Sequence, residues 1–150
     1  MKKQIIQLKD TVVDIALLKE SLEKFTVVSA AYLFGSAASG EKVVNDLDIL
    51  ILLYKTVDKN EAYIDLTFNL SRLLNIPESC VDLLFLNVED ADPDVLTKAV
   101  NHGILLKNED PDYLGNTIDA ISRYLLENEA MAIRAGRLRQ ERLEVFHEAR

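Results

Sequence analysis

Asp46 and Asp48 stand two residues apart at the mouth of an apolar run, DLDILILLY (46–54), with only Leu47 between them. On an extended strand alternate side chains share a face, so both carboxylates point the same way. Like charges this close raise each other's pKa and cost energy unless something positive sits between them. A polar strand end at solvent accounts for one Asp easily and for two less well. A third carboxylate, Asp82, lies in CVDLLFLN (80–87) with apolar residues on both sides. Taken alone, it reads as a buried Asp tied up by backbone donors or an Arg, because an uncompensated buried charge is expensive. Three carboxylates on neighbouring strands instead form a cage for a hard cation. Mg²⁺ prefers oxygen ligands and keeps positions for waters and substrate phosphates. Two such ions can align a nucleophile, an electrophilic phosphorus and a leaving group. On this reading the missing positive charge is a metal ion.

Gly35 and Ser36 follow the apolar segment TVVSAAYLF (26–34) without a spacer. Glycine there lets the backbone approach a ligand closely, and the Ser hydroxyl and nearby amides can donate to phosphate oxygens. Gly-Ser alone is a common turn. Placed nine residues ahead of Asp-x-Asp, at 37–45, it is far more specific.

These residues need elements to hold them. The spacing of Val12, Ile15, Leu18, Leu22 and Phe25 predicts a helix over 10–25. Residues 26–34 read as a strand, and Gly35 to Gly40 as a turn with one short helical turn. Residues 46–54 read as a second strand, central because its hydrophobicity is nearly continuous. Its alternation puts Asp46, Asp48, Leu50 and Leu52 on one face and Leu47, Ile49, Ile51 and Leu53 on the other. A helix over 59–75 is expected to turn Ile64, Phe68 and Leu73 or Leu74 to one face, closed by Pro77. A third strand spans 80–87. A helix follows, with Asp92 as N-cap, Pro93 at its first position and Gly103 at its end. Residues 104–107 make a fourth strand. From 111 to 150 the pattern is helical, with Leu114, Ile118, Ile121 and Leu125 on one face and a kink or break expected near Gly136. The fold class is a small mixed α/β (α+β) domain of about four strands flanked by helices. Its organisation divides into residues 1–110 and a helical extension, 111–150, packed on the same domain.

Composition bounds the rest. The chain has 150 residues, 49% of them hydrophobic and 28% charged, which suits one soluble domain with a real core. The longest wholly apolar run, Ile49–Tyr54, is far short of the roughly 20 residues of a membrane span. The single cysteine, Cys80, cannot form an internal disulfide, which fits a cytoplasmic protein, and is expected to pack in the core. A net charge of −8 argues against a general grip on nucleic acid. The charge is uneven: five Arg and three Glu lie between Arg134 and Arg150, leaving −10 on residues 1–133.

With these residues in view, GSAASGEKVVNDLDI (35–49) resembles the signature of the polymerase β-like nucleotidyltransferases. The chain's length is similar to that of the minimal (MNT) members. The resemblance spans roughly residues 28–107. It implies that Asp46 and Asp48 hold Mg²⁺ and a nucleoside triphosphate such as ATP. It implies that Asp82 binds metal and helps activate the attacking hydroxyl, and that Gly35 and Ser36 hold the terminal phosphates. The implied reaction transfers a nucleoside monophosphate to a hydroxyl and releases pyrophosphate, chiefly by positioning and charge stabilisation. Minimal members are commonly antitoxins paired with a helical HEPN-domain toxin, usually an RNase, which they can adenylylate. A HEPN toxin is therefore the implied partner.

Two departures from the family pattern stand out. Many members carry Arg or Lys just after Gly-Ser, where this chain has Ala37, Ala38 and Ser39. Lys42 in the same loop is a candidate substitute for nucleotide binding. Asn45 stands where the family often has Ser. Arg134, Arg137, Arg139 and Arg142, interleaved with Leu138, Leu143, Val145 and Phe146, read either as a solvated helix end or as a docking surface for a partner or a second copy. His102 reads as a helix-end residue, and it forms no metal-ligand pair with His147 by spacing. Two other functions stay open beside an adenylylating antitoxin. One is a degenerate binding module that neutralises the toxin by contact. The other is an antibiotic nucleotidyltransferase, which the chain's length disfavours.

Overall fold

The computed structural model describes residues 4–86 and 93–148. The chain opens with a short antiparallel hairpin, β1 (Ile5–Gln7) and β2 (Val12–Asp14). Then follow α1 (Ile15–Glu23), β3 (Val28–Phe34), β4 (Leu47–Leu53), α2 (Lys59–Leu74) and β5 (Val81–Phe85). The chain continues with α3 (Pro93–His102), β6 (Ile104–Asn108) and α4 (Pro111–Glu148). Single 3-10 turns cover Gly35–Ala37 and Glu78–Cys80. Among the described residues, no helix is long and apolar enough to cross a membrane.

The four-stranded sheet has the order β5-β4-β3-β6. β3 pairs antiparallel with both β4 and β6, and β4 pairs parallel with β5. β4 is interior, as its unbroken hydrophobicity requires. Its two faces serve two clusters. Leu47, Ile49, Ile51 and Leu53 pack with α1, α2 and the hairpin. Leu50 and Leu52 pack with Ala99 of α3 and Leu114 of α4. Each of these fully buried leucines contributes about 1.5–3 kcal/mol by leaving water.

The helix expected over 10–25 begins only at Ile15. Asp14 caps it, accepting from the Ala16 N–H at 2.9 Å, and Val12 and Val13 belong to the hairpin. At the other end, the buried Lys107 of β6 reaches across, its Nζ 3.0 Å from the Phe25 carbonyl and 3.4 Å from that of Leu22. A cation thus sits at the negative end of the α1 dipole.

α2 is capped by Asp58, which accepts from the N–H groups of Asn60 and Glu61, and ends at Asn75 in the left-handed conformation (φ 55°). Its core-facing stripe is Ala62, Leu66, Leu70 and Leu74. Ile64 and Phe68, expected to share a face with Leu73 or Leu74, are 70% and 46% exposed, whereas Leu74 is buried. α2 carries two apolar stripes, and the sheet takes the one whose leucines are spaced at i, i+4 and i+8.

Cys80 packs against the first core cluster. On α4, Leu114 is buried, and Ile118 and Ile121 pack beside it on the second cluster. Tyr113 stacks on Tyr54, with centroids 6.0 Å apart, and donates to the Leu53 carbonyl at 2.8 Å. α4 runs through Gly136 without the expected break. Asp92, and the side chains of Leu125, Arg137, Leu138, Arg139, Arg142, Leu143, Val145 and Phe146, lie outside the described residues.

Candidate active site

The site forms where β3 ends and β4 begins. Phe34, the last residue of β3, pairs with Asp48 on β4, and Asp48 pairs with Asp82 on β5. Strand register alone therefore places two carboxylates side by side. Asp46 precedes β4 by one residue and reaches the same point. One oxygen from each of the three acids lies within 4.8 Å of the others. Asp46 and Asp48 are half-buried. Asp82 is exposed, which corrects the expectation of an Asp enclosed by apolar neighbours. The reason is the strand's alternation: Val81, Leu83 and Phe85 are buried on one face of β5, and Asp82 lies on the other.

Burial pushes the Asp48 carboxyl up to about 7. The Asp46 charge, a hydrogen bond with Asp82 and the Asp82 charge add to it in that order. The acid cluster without a cation therefore shares a proton near neutral pH. A divalent cation bound by these oxygens would displace that proton. The three-carboxylate donor set is compatible with such a cation.

Gly35 (φ 69°) starts the turn after β3. The N–H groups of Ala38 and Ser39 both donate to its carbonyl at 3.2 Å, and the Ser39 hydroxyl donates to the Ser36 carbonyl at 3.1 Å. A methyl group on Gly35 would lie 3.2 Å from Asp48 Cγ and collide with Asp48 Oδ2. Both the left-handed backbone and the contact with the acid cluster require glycine here.

Asp46, Asp48, Asp82, Gly35 and Ser36 are thus gathered at one end of the sheet. Lys42 is exposed on the spacer loop. Sequence reading missed a cavity of about 370 Å³ beside Gly35, lined by Phe34, Ser39, Lys98, Ala99 and His102 among others. His102 does end α3, as read, but it also faces this cavity. No local spacing announces the pair, because α3 reaches the turn only through the fold.

The comparisons agree with this geometry. A crystal structure described as a toxin–antitoxin with AMP-PNP matches with a TM-score of 0.59 and 28% identity, covering 79% of this chain and 94% of that one. A Shewanella oneidensis complex of tri-AMPylated HEPN toxin with MNT antitoxin matches with a TM-score of 0.54 and 26% identity, covering 79% and 94%. An MntA–HepT toxin–antitoxin structure matches with a TM-score of 0.53 and 26% identity, covering 79% and 92%. The curated proteins contain no match. Residues 17–112, which hold every element of the site, match the family described as polymerase beta, nucleotidyltransferase. With the acids, the turn and the sheet all inside that match, the chain belongs to this nucleotidyltransferase family.

Proposed function

We propose that the chain is a Mg²⁺-dependent adenylyltransferase that acts as the antitoxin of a HEPN-domain toxin in the cytoplasm. The observation that carries this is the convergence of Asp46, Asp48 and Asp82 within 4.8 Å beside the Gly35 turn. The solved complexes supply the partner class: an antitoxin with an AMPylated HEPN toxin and a toxin–antitoxin with AMP-PNP. In this reading residues 1–110 are the catalytic domain and 111–150 a helical extension docked on it.

Asp46 and Asp48 hold the metal, and Asp82 joins them. Bound Mg²⁺ would neutralise phosphate charge and polarise the α-phosphorus. The Gly35–Ser36 turn positions the triphosphate. A hydroxyl oxygen of the partner forms a bond to the α-phosphorus, and the bond from that phosphorus to the β-phosphate oxygen breaks. Pyrophosphate leaves with the bonding electrons, and the hydroxyl proton passes to the carboxylate cluster at Asp82. Asp82 is exposed on an edge strand, so a side chain of a folded protein can reach it.

Intact-mass spectrometry tests the proposal. The full chain is mixed with its HEPN partner, Mg²⁺ and each nucleoside triphosphate in turn. A gain of AMP on the partner, absent with Asp46→Asn, is the expected result. A stable complex with no mass gain would favour the second reading, neutralisation by contact alone. Ala37 and Ala38 after Gly-Ser favour that reading.

A further inference from the structure

We propose that the outer half of α4 is a self-association surface, on which two copies of this chain pair their helices antiparallel about Ala130. The inference goes beyond the nucleotide chemistry and does not depend on it. α4 runs for 38 residues, and only its start is seated on the sheet. Tyr113, Leu114, Ile118 and Ile121 pack in the second core cluster, and past Ile121 no described residue joins either cluster. Residues 122–148 thus form an arm of about 40 Å, all of it beyond the family match, which ends at residue 112. A helix in water owes most of its stability to the packing of an apolar face, so an arm with no partner is marginal.

Leu126 is 64% exposed and Ile133 51%, with exposed Ala130 between them. Their spacing, i, i+4 and i+7, puts the three on one stripe of the helix. Glu127 and Arg134 stand one position further along, both exposed, and neither has an ion-pair partner among the described residues. They lie two turns apart, about 10 Å, too far to pair within one helix. The symmetry of this pattern selects a second copy as the occupant. Leu126 and Glu127 come four and three residues before Ala130, and Ile133 and Arg134 three and four after it. In a two-fold pair residue i meets j, and j meets i. With two helices antiparallel and Ala130 at the crossing, Leu126 of one copy meets Ile133 of the other, and Glu127 of one meets Arg134 of the other, twice over. The small Ala130 side chain lets the helices approach. A parallel, in-register pair would instead set Glu127 beside Glu127 and Arg134 beside Arg134. A partner of another kind would need no such symmetry.

Sedimentation velocity of the full chain over a concentration series, without nucleotide, tests the pairing. Wild type is expected to run as a dimer that dissociates on dilution. Leu126→Asp/Ile133→Asp should raise the dimer Kd at least about tenfold. Tyr124, 53% exposed on the opposite side of the helix, provides the control, and Tyr124→Asp should behave as wild type. Glu127→Arg and Arg134→Glu should each weaken the dimer, and the two together should restore it. That reciprocal rescue separates a pairing defect from a helix that has simply frayed. Orientation is read by oxidation on non-reducing gels, with wild type as the control for Cys80. Ala130→Cys should form a disulfide-linked dimer. Asp119→Cys should not, because the two copies of residue 119 would lie about 33 Å apart in the antiparallel pair. Disulfides at both positions would mean a parallel pair and overturn the proposal. So would a monomer at every concentration, or a dimer indifferent to the Leu126 and Ile133 substitutions. If those substitutions instead cost only binding of the HEPN partner, the surface belongs to that partner and the proposal falls.

Discussion

Gly35→Ala puts the geometry of the site to its sharpest test. Two costs can be worked out separately. At φ 69° a residue with a Cβ is strained by about 1–2 kcal/mol. That lowers the melting temperature by roughly 2–4 °C per kcal/mol in a chain of this size. The second cost falls on the chemistry. The new methyl would lie 3.2 Å from Asp48 Cγ and closer to Oδ2. Relief requires the carboxylate to retreat by about 1 Å, a misplacement that can cost about a hundredfold in rate. Gly40 provides the control. It has φ 77° and nothing within 4 Å of an added Cβ. Gly40→Ala should therefore show a similar loss of melting temperature with near-normal transfer. The assay is the initial rate of AMP transfer to the HEPN partner by mass spectrometry, with melting curves run in parallel. The reasoning fails if Gly35→Ala transfers within about threefold of wild type. It also fails if both alanine variants lose rate equally, because backbone strain alone would then account for the effect.

Three further outcomes are expected. The Asp48 carboxyl is raised from 3.8 to about 7 in the folded chain, so the stability its protonated form contributes is complete below 3.8 and lost as pH rises to about 7. Without divalent cations, urea unfolding of wild type should fall off across that window, while Asp48→Asn stays flat and is the more stable protein above it. Lys107→Ala removes a buried, charged donor from the Phe25 and Leu22 carbonyls, which keep only their backbone partners Val28 and Phe25, and should cost about 1–3 kcal/mol in chemical unfolding. Lys107→Met, which keeps the aliphatic stem, should lose less. Gly103→Ala would drive a methyl into the Ala99 carbonyl and to 2.7 Å from the Leu33 carbonyl oxygen, and should destabilise the fold by about 1–3 kcal/mol; a melting temperature equal to wild type would contradict these close approaches.

Much of the site is legible in the sequence because its parts are close together along the chain. Leu47–Leu53 alternates between two buried faces, so the period-two reading assigned Asp48, Leu50 and Leu52 to one side correctly. Gly-Ser and Asp-x-Asp lie at the ends of adjacent antiparallel strands, where a short spacer must return the chain. What stayed hidden depends on distant neighbours. Val12 falls in helical register with Ile15 and Leu18, yet it belongs to the hairpin because Asp14 is the cap. Ile64 and Phe68 form an apolar pair as regular as Leu66 and Leu70, and only the sheet decides which of the two is buried. Asp82 reads as enclosed because Val81 and Leu83 beside it are buried, yet they face the other side of β5. Lys98 and His102 carry no local signal, since β3 and α3 meet only in three dimensions.

The hairpin at the start of the chain has a consequence for how such proteins are found. Val44 is 2% exposed, bridges to Leu8 and donates its N–H to the Gln7 carbonyl at 2.9 Å. The spacer between Gly-Ser and Asp-x-Asp is therefore clamped just before Asp46. Residues 40–43 lie between that clamp and the turn, and Gly40, Glu41, Lys42 and Val43 are all exposed. Insertions or deletions within those four positions would change the count without moving either half of the site. A one-residue change between Val44 and Asp48 would turn the carboxylates to the opposite face of the sheet. A pattern search that fixes the spacer at nine residues will pass over relatives whose sites are built the same way. One that fixes the buried residue two places before the first Asp, and lets the loop ahead of it vary, will recover them.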